Sequence, residues 1–265
     1  MPMTSITSGM GIEVVPDVFC LSVQIVNVVF IGDPKQSNEF VLVDAGMPES
    51  HELIISEAQK RFGDSCKPTS IVLTHGHFDH VGALKELLNK WDVPVYAHPL
   101  EAPYLSGRSD YPPPNPEAEG LVAKMSPMFP RHSIDVSSNL ELLNEEGIIP
   151  SLADWRFIHT PGHTPGHISL FREYDRALIV GDAFTTVEQE SLYDVMTQKQ
   201  EMHGPPAYFT IDWKAAEESV KKLESLKPSI AVSGHGLPIA DDELTTNLKK
   251  LVDTFAETEV PENKK

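Results

Sequence analysis

Four short apolar runs in this chain each end in histidine or aspartate, and that recurrence limits its possible folds more than any other feature. Residues 71–73 lead into Thr74-His75-Gly76-His77-Phe78-Asp79-His80, and residues 157–158 into His159-Thr160-Pro161-Gly162-His163-Thr164-Pro165-Gly166-His167. Residues 177–180 end in Gly181-Asp182, and residues 230–232 in Ser233-Gly234-His235-Gly236. Open α/β sheets collect ligands outside the C-terminal ends of their strands. Four strand ends delivering His or Asp are therefore expected to converge. Further strand-length runs at 22–31, 40–43, 93–97 and 168–171 alternate with amphipathic stretches. Trp213, Ala216, Val220 and Leu223 recur at helical spacing within 212–226, as do Leu244, Leu248, Leu251 and Phe255. Residues 51–61 and 82–90 are further predicted helices. Strands mixed with covering helices predict layered α/β architecture and not an all-β barrel.

His75 and His77 lie two apart, so on extended backbone their imidazoles leave the same side. Asp79 and His80 follow as the chain turns into a helix, where they offer a second ligand pair. Gly76, lacking a Cβ, is expected to relax that turn. Imidazole and carboxylate without thiolate suit zinc, and also iron, manganese or cobalt. His159 and His167 flank His163, and the residues alone leave the choice of ligand among the three open. The run 41–43 ends in Asp44 much as 178–180 leads to Asp182. No H-E-x-x-H segment is present, which argues against a zincin protease.

The 265 residues fit one large domain or two small ones, at roughly 100–200 residues per domain. A balance of 21 basic against 39 acidic side chains, net −18, repels phosphate backbones and anionic membranes. The expected partner is a small-molecule substrate, with no nucleic acid and no membrane. Cys20 and Cys66 sit in no C-x-x-C pair and are expected as buried thiols. With neither a signal-peptide pattern nor a long apolar span, the expected location is cytoplasmic. Residues 106–131, rich in proline, and the polar segment 188–210 look unlike core; either they shape a substrate pocket or they are exposed insertions.

Taken in order, the H-x-H-x-D-H segment, the T-P-G-H, the Gly-Asp after a strand and the closing S-G-H-G resemble the metallo-β-lactamase superfamily over residues 44–235. The resemblance implies an α/β fold, a four-layer αββα sandwich, with residues 1–265 as a single domain carrying an insertion near 106–131 and a lid near 188–210. It implies that His75, His77 and His163 hold a first metal, that Asp79, His80 and His235 hold a second, and that Asp182 bridges them. Asp44 would orient a ligating histidine, since such outer partners fix the imidazole tautomer; His167 would be a supporting residue. Two divalent ions, zinc by default with iron, manganese or cobalt as alternatives, could sit ~3.5–4 Å apart and share a bridging hydroxide that attacks an electrophilic carbonyl. Asp79 and Asp182 thereby enter the catalytic machinery, Asp79 also as a proton carrier. Tyr208 is the expected donor to the oxyanion or leaving group, with Tyr193 as the alternative. His51, His98 and His132 are expected to have no metal role.

His80 and His235 resemble the thioesterase and lactonase-like branches, and the string H-T-P-G-H-T-P-G-H-I-S resembles glyoxalase II. The acidic tail does not match the basic C-terminal region of the latter. The implied activity is metal-dependent hydrolysis of a thioester, lactone or related ester or amide bond of a small molecule. Two other classes share the ligands: a mononuclear iron oxygenase acting on persulfides, and a non-catalytic metal-binding module.

Overall fold

The computed structural model describes residues 4–118, 120–144 and 146–264. By its backbone contacts the chain divides into two compact units, one of residues 1–111 and 132–153, the other of 112–131 and 154–265.

The first unit is built on a seven-stranded sheet. Its strands are β1 (Gly11–Val15), β2 (Val18–Val23), β3 (Val26–Ile31), β4 (Val41–Val43), β5 (Ser70–Val72), β6 (Val95–Ala97) and β7 (Leu140–Leu142), hydrogen-bonded in that order. β1 to β4 pair antiparallel, and β4 to β7 pair parallel. Parallel neighbours need long crossovers, which α1 (His51–Phe62) and α2 (Leu84–Trp91) supply between β4, β5 and β6. Each helix buries one stripe: Ile54, Ala58 and Phe62 on α1, and Leu84, Leu87, Leu88 and Trp91 on α2. Phe62 stacks on Phe40 at 4.4 Å, and Trp91 meets Phe40 edge-on at 6.2 Å. Each such side chain contributes ~1.5–3 kcal/mol when fully buried. α3 (Ala102–Leu105) follows a short 3-10 turn at Pro99–Glu101.

The apolar run 22–31 is not one strand. It straddles the β2–β3 hairpin, which Gln24 turns with φ 58°. Both strands are buried along their whole length, and the polar Gln24 alone marks the break.

In the second unit, α4 (Leu121–Met125) precedes a five-stranded sheet. Its strands are β8 (Trp155–His159), β9 (Ile168–Arg172), β10 (Ala177–Gly181), β11 (Ile230–Ser233) and β12 (Ile239–Ala240), in spatial order β12-β11-β10-β9-β8. α5 (Leu192–Thr197) and α6 (Trp213–Ser225) lie between β10 and β11, which pair parallel, and α7 (Asp241–Thr258) follows β12. Asp212 caps α6 by accepting the Ala215 N–H at 2.9 Å. The predicted stripes are found: Trp213, Ala216, Val220 and Leu223 of α6 and Leu244, Leu248, Leu251 and Phe255 of α7 join Leu178, Val180 and Phe184 in one core.

The segments 106–131 and 188–210 are more ordered than bare loops. Residue 119 lies outside the described residues; the rest of 112–131 is stitched to 188–210. Val122 N–H donates to Glu190 O at 3.3 Å, and Asn115 N–H to Tyr208 O at 2.7 Å. The Phe129 ring meets the Tyr208 ring at 5.9 Å. Among the described residues no helix is long and apolar enough to cross a membrane.

Candidate metal centre

In the first unit the strand ends of β4 and β5 lie side by side, Val43 opposite Val72, and this places Asp44 against the loop that follows β5. Asp44 Oδ1 accepts the Thr74 N–H at 2.8 Å, and Oδ2 accepts both the Thr74 hydroxyl and His80 Nδ1–H at 2.8 Å. Donation from Nδ1 puts the His80 lone pair on Nε2, the atom suited to a metal. Asp44 thus has the orienting position expected from the sequence. Its backbone is left-handed, φ 61°, a region that aspartate enters more readily than most residues.

The same loop gathers His75, His77 and His80. The His75 ring lies 4.8 Å from His77 and 4.1 Å from His80, and His80 Nε2 lies 4.0 Å from an Asp79 oxygen. All four side chains are buried. Gly76 does not serve the turn in the way its sequence suggested, because it is absent from the glycines with left-handed backbone. It serves close approach instead: a Cβ there would stand 2.7 Å from the Tyr111 hydroxyl and 3.2 Å from Leu105 Cδ2.

In the second unit three strand ends contribute. Asp182 follows β10, His163 lies in the turn between β8 and β9, and His235 follows β11. Asp182 Oδ2 is 3.5 Å from His163 Nε2 and 3.3 Å from His235 Nε2. The three histidines of the T-P-G-H repeat separate by role. His159 Nε2 binds Pro165 O at 2.9 Å at a half-buried position. His167 Nε2 accepts the Asp182 N–H at 2.8 Å while its Nδ1 meets Thr160 Oγ1 at 2.8 Å. Both His167 nitrogens are thereby engaged, one with the Asp182 backbone and one with Thr160, whereas His163 turns Nε2 toward the Asp182 carboxylate. Gly236 closes this end with φ 97°; a Cβ there would fall 2.3 Å from Thr186 Oγ1, so the position is barred to other residues twice over.

The match to known proteins accords with this arrangement. The family model described as the metallo-beta-lactamase superfamily matches residues 21–235. The chain belongs to the metallo-β-lactamase superfamily. A relative named "Probable metallo-hydrolase YflN", from Bacillus subtilis (strain 168), is 54% identical over 257 residues, 97% of each chain. "Hydroxyacylglutathione hydrolase GloC" of Haemophilus influenzae is 31% identical over 114 residues, 42% of this chain and 48% of its own. Among solved structures, "Crystal structure of TTHA1623 in a di-iron-bound form" aligns with TM-score 0.51 and 26% identity, covering 88% of this chain and 93% of the other. The α/β metallo-β-lactamase fold and metallo-hydrolase class follow from the family match and the YflN relative.

The donor set fits the divalent metals of this superfamily. Asp79 and Asp182 are buried carboxylates, Asp182 only 2% exposed, and the neighbours described above are imidazoles, which carry no charge when neutral. A buried carboxylate is costly without a compensating positive charge, and a divalent cation supplies it. Among the described residues, His75, His77, Asp79 and His80 of the first unit and His163, Asp182 and His235 of the second are buried candidates for holding such an ion.

Other residues fall outside this set. Tyr208 is buried, its ring against Phe129 and Phe209, and Tyr193 is 72% exposed. His98 Nδ1 accepts the Leu100 N–H, and His132 pairs with Asp110 at the surface. Sequence reading missed Glu101 and Tyr111, which both accept the Gly76 N–H in the loop after β5. The Tyr111 hydroxyl donates to Glu101 Oε2. Burial, reinforced by the Glu101 charge, pushes the Tyr111 phenol well above its usual range, so it stays a donor. No local motif surrounds either residue, although Tyr111 lies within the proline-rich segment 106–131.

Proposed function

We propose that this metallo-hydrolase uses the two clusters together, around one pair of divalent ions, to cleave a thioester, lactone or related ester of a small molecule. In this reading His75, His77 and His163 hold one ion, Asp79, His80 and His235 hold the other, and Asp182 serves both. The observation that carries it is the Asp182 carboxylate, set between His163 and His235 with its own backbone N–H secured by His167. When bound, the ions would activate water and take up negative charge developing on the substrate. The chain's own part is to keep the imidazoles neutral and aimed. Asp44 does this for His80 by accepting its Nδ1 proton. Asp79, beside His80, is placed to receive a proton after cleavage, and Tyr208 is the proposed donor to the departing group.

Zinc is the proposed metal, as the default for imidazole and carboxylate ligands; the di-iron neighbour makes iron the first alternative to test. The thioester preference draws on the T-P-G-H repeat and on the named activity of GloC. We read residues 1–265 as one functional domain, in which 106–131 and 188–210 shape the pocket and present exposed Met128, Tyr193 and Met196 to an apolar substrate group. A cytoplasmic location completes the reading, which the free thiols Cys20 and Cys66 suit.

The test combines metal analysis of purified protein with turnover on thioesters, lactones, β-lactams and phosphodiesters. The expected result is up to two transition-metal ions per chain and hydrolysis of thioesters or lactones that chelation abolishes and metal restores. Hydrolysis that survives complete metal removal would defeat the proposal.

A further inference from the structure

We propose that Glu101 and Tyr111 are positioning residues that hold the His75–Gly76 peptide and so set the angle between the His75 and His77 imidazoles. The inference rests on the reading of those two histidines as metal ligands. Glu101 is 1% exposed, deep for a carboxylate. Its Oε2 accepts the Gly76 N–H at 3.0 Å, the Tyr111 oxygen accepts the same N–H at 2.9 Å, and the Tyr111 hydroxyl donates to Glu101 Oε2. One backbone N–H is therefore held by two acceptors that also bond each other. That N–H belongs to the single residue separating the two histidines, so fixing it fixes the peptide plane that carries the His75 Cα.

The ring of Tyr111 adds a second constraint. It lies 4.4 Å from the His77 ring and stacks on Tyr104 at 3.8 Å with the planes 15° apart. His77 is thus backed by a two-ring column while its neighbour is steered through the peptide. The imidazoles of His75 and His77 stand 88° apart, an angle that backbone restraint and ring packing impose jointly. Gly76 completes the device, because any side chain there would displace the Tyr111 hydroxyl. A loop that needed only filling would be served by an apolar side chain in place of Glu101, without the cost of burying a carboxylate.

Cobalt(II)-loaded full-length protein provides the test, since its visible absorption reports ligand geometry independently of turnover. Y111F and E101A should weaken cobalt binding about tenfold in a chelator competition, the scale typical of outer partners of metal ligands. Both should also shift the visible bands. E101Q, which keeps an acceptor oxygen for Gly76 and Tyr111, should restore both readings toward wild type. Wild-type spectrum and affinity in Y111F and E101A would overturn the proposal, and if E101A does not fold, Y111F alone decides. H77A separates the two levels. Loss of cobalt in H77A with an unaltered Y111F leaves the ligand reading standing and removes this inference; full cobalt in H77A removes both.

Discussion

In the first unit four candidate ligands leave one loop within six residues, from His75 to His80, whereas in the second His163, Asp182 and His235 come from segments spread over more than seventy positions. The local cluster has its ligands together by covalent connection, and what it needs is aim. Aim comes from outside the loop, through Asp44 on His80 and through Glu101 and Tyr111 on Gly76. The dispersed cluster is aimed by the sheet itself. The register of β9, β10 and β11 brings three strand ends to one edge, and His167 needs only to fasten the Asp182 amide. A short motif therefore hides a need for distant support, and a scattered set can be well supported by the strands that carry it.

The sharpest way to break this comparison is Asp182→Ala. It should lower turnover by about 10³-fold while far-UV circular dichroism stays unchanged; full turnover and metal content in that variant would overturn the assignment of Asp182. Next, Asp44→Ala takes the acceptor from the Thr74 N–H, the Thr74 hydroxyl and His80 Nδ1–H at once. It should weaken metal binding about 10–100-fold and cost about 2–4 kcal/mol in urea denaturation. An effect no larger than that of His159→Ala would mean the local cluster does not rely on outside aim.

Within the T-P-G-H repeat, His167→Ala leaves the buried Asp182 N–H without its imidazole acceptor and should cost about 1–3 kcal/mol. His159→Ala, at a half-buried position, should stay within about 1 kcal/mol. Equal losses would erase the distinction between support and bystander.

A last, pH-dependent effect concerns the segment stitched to 112–131. Burial pushes the Glu190 carboxyl from its ordinary 4.5 up to about 7, against the pull of the Ala207 N–H. The folded state holds that proton longer than the unfolded chain does. Its stabilising contribution is therefore complete below about pH 4.5 and is lost as pH rises through about 7. Glu190→Gln, neutral throughout, should gain stability relative to wild type as pH rises from 5 to 8. A melting-temperature difference that does not change over that range would show that the carboxyl titrates normally.

Much of this was legible in the residues themselves. Every candidate ligand named here stands in one of the four His- or Asp-tipped runs, because a strand end exports its chemistry in contiguous letters. The α6 and α7 stripes were equally plain, since one helical face packs on one core. The roles of His159, His163 and His167 were not legible. They differ in which groups their nitrogens meet, and those groups, Pro165 O, the Asp182 N–H and the Asp182 carboxylate among them, are set by strand pairing. The β2–β3 hairpin was hidden because its two-residue turn carries only one polar residue, Gln24, and no Gly, Pro, Asn or Asp that would mark it. Glu101 and Tyr111 were hidden because their partner is a backbone N–H, which leaves no trace in residue type.

The left-handed backbone of Asp44 narrows that position to almost a single amino acid. Asparagine would accept the dihedral but would put an amide NH₂ where an oxygen now receives a proton. Glutamate would keep the charge but lacks the short side chain that eases a positive φ. Glycine would fit the backbone and offer no acceptor at all. Any attempt to retune the His80 imidazole by changing its anchor must therefore disturb the main chain as well, so a designer seeking altered metal preference has better prospects on the Tyr111 side of the loop.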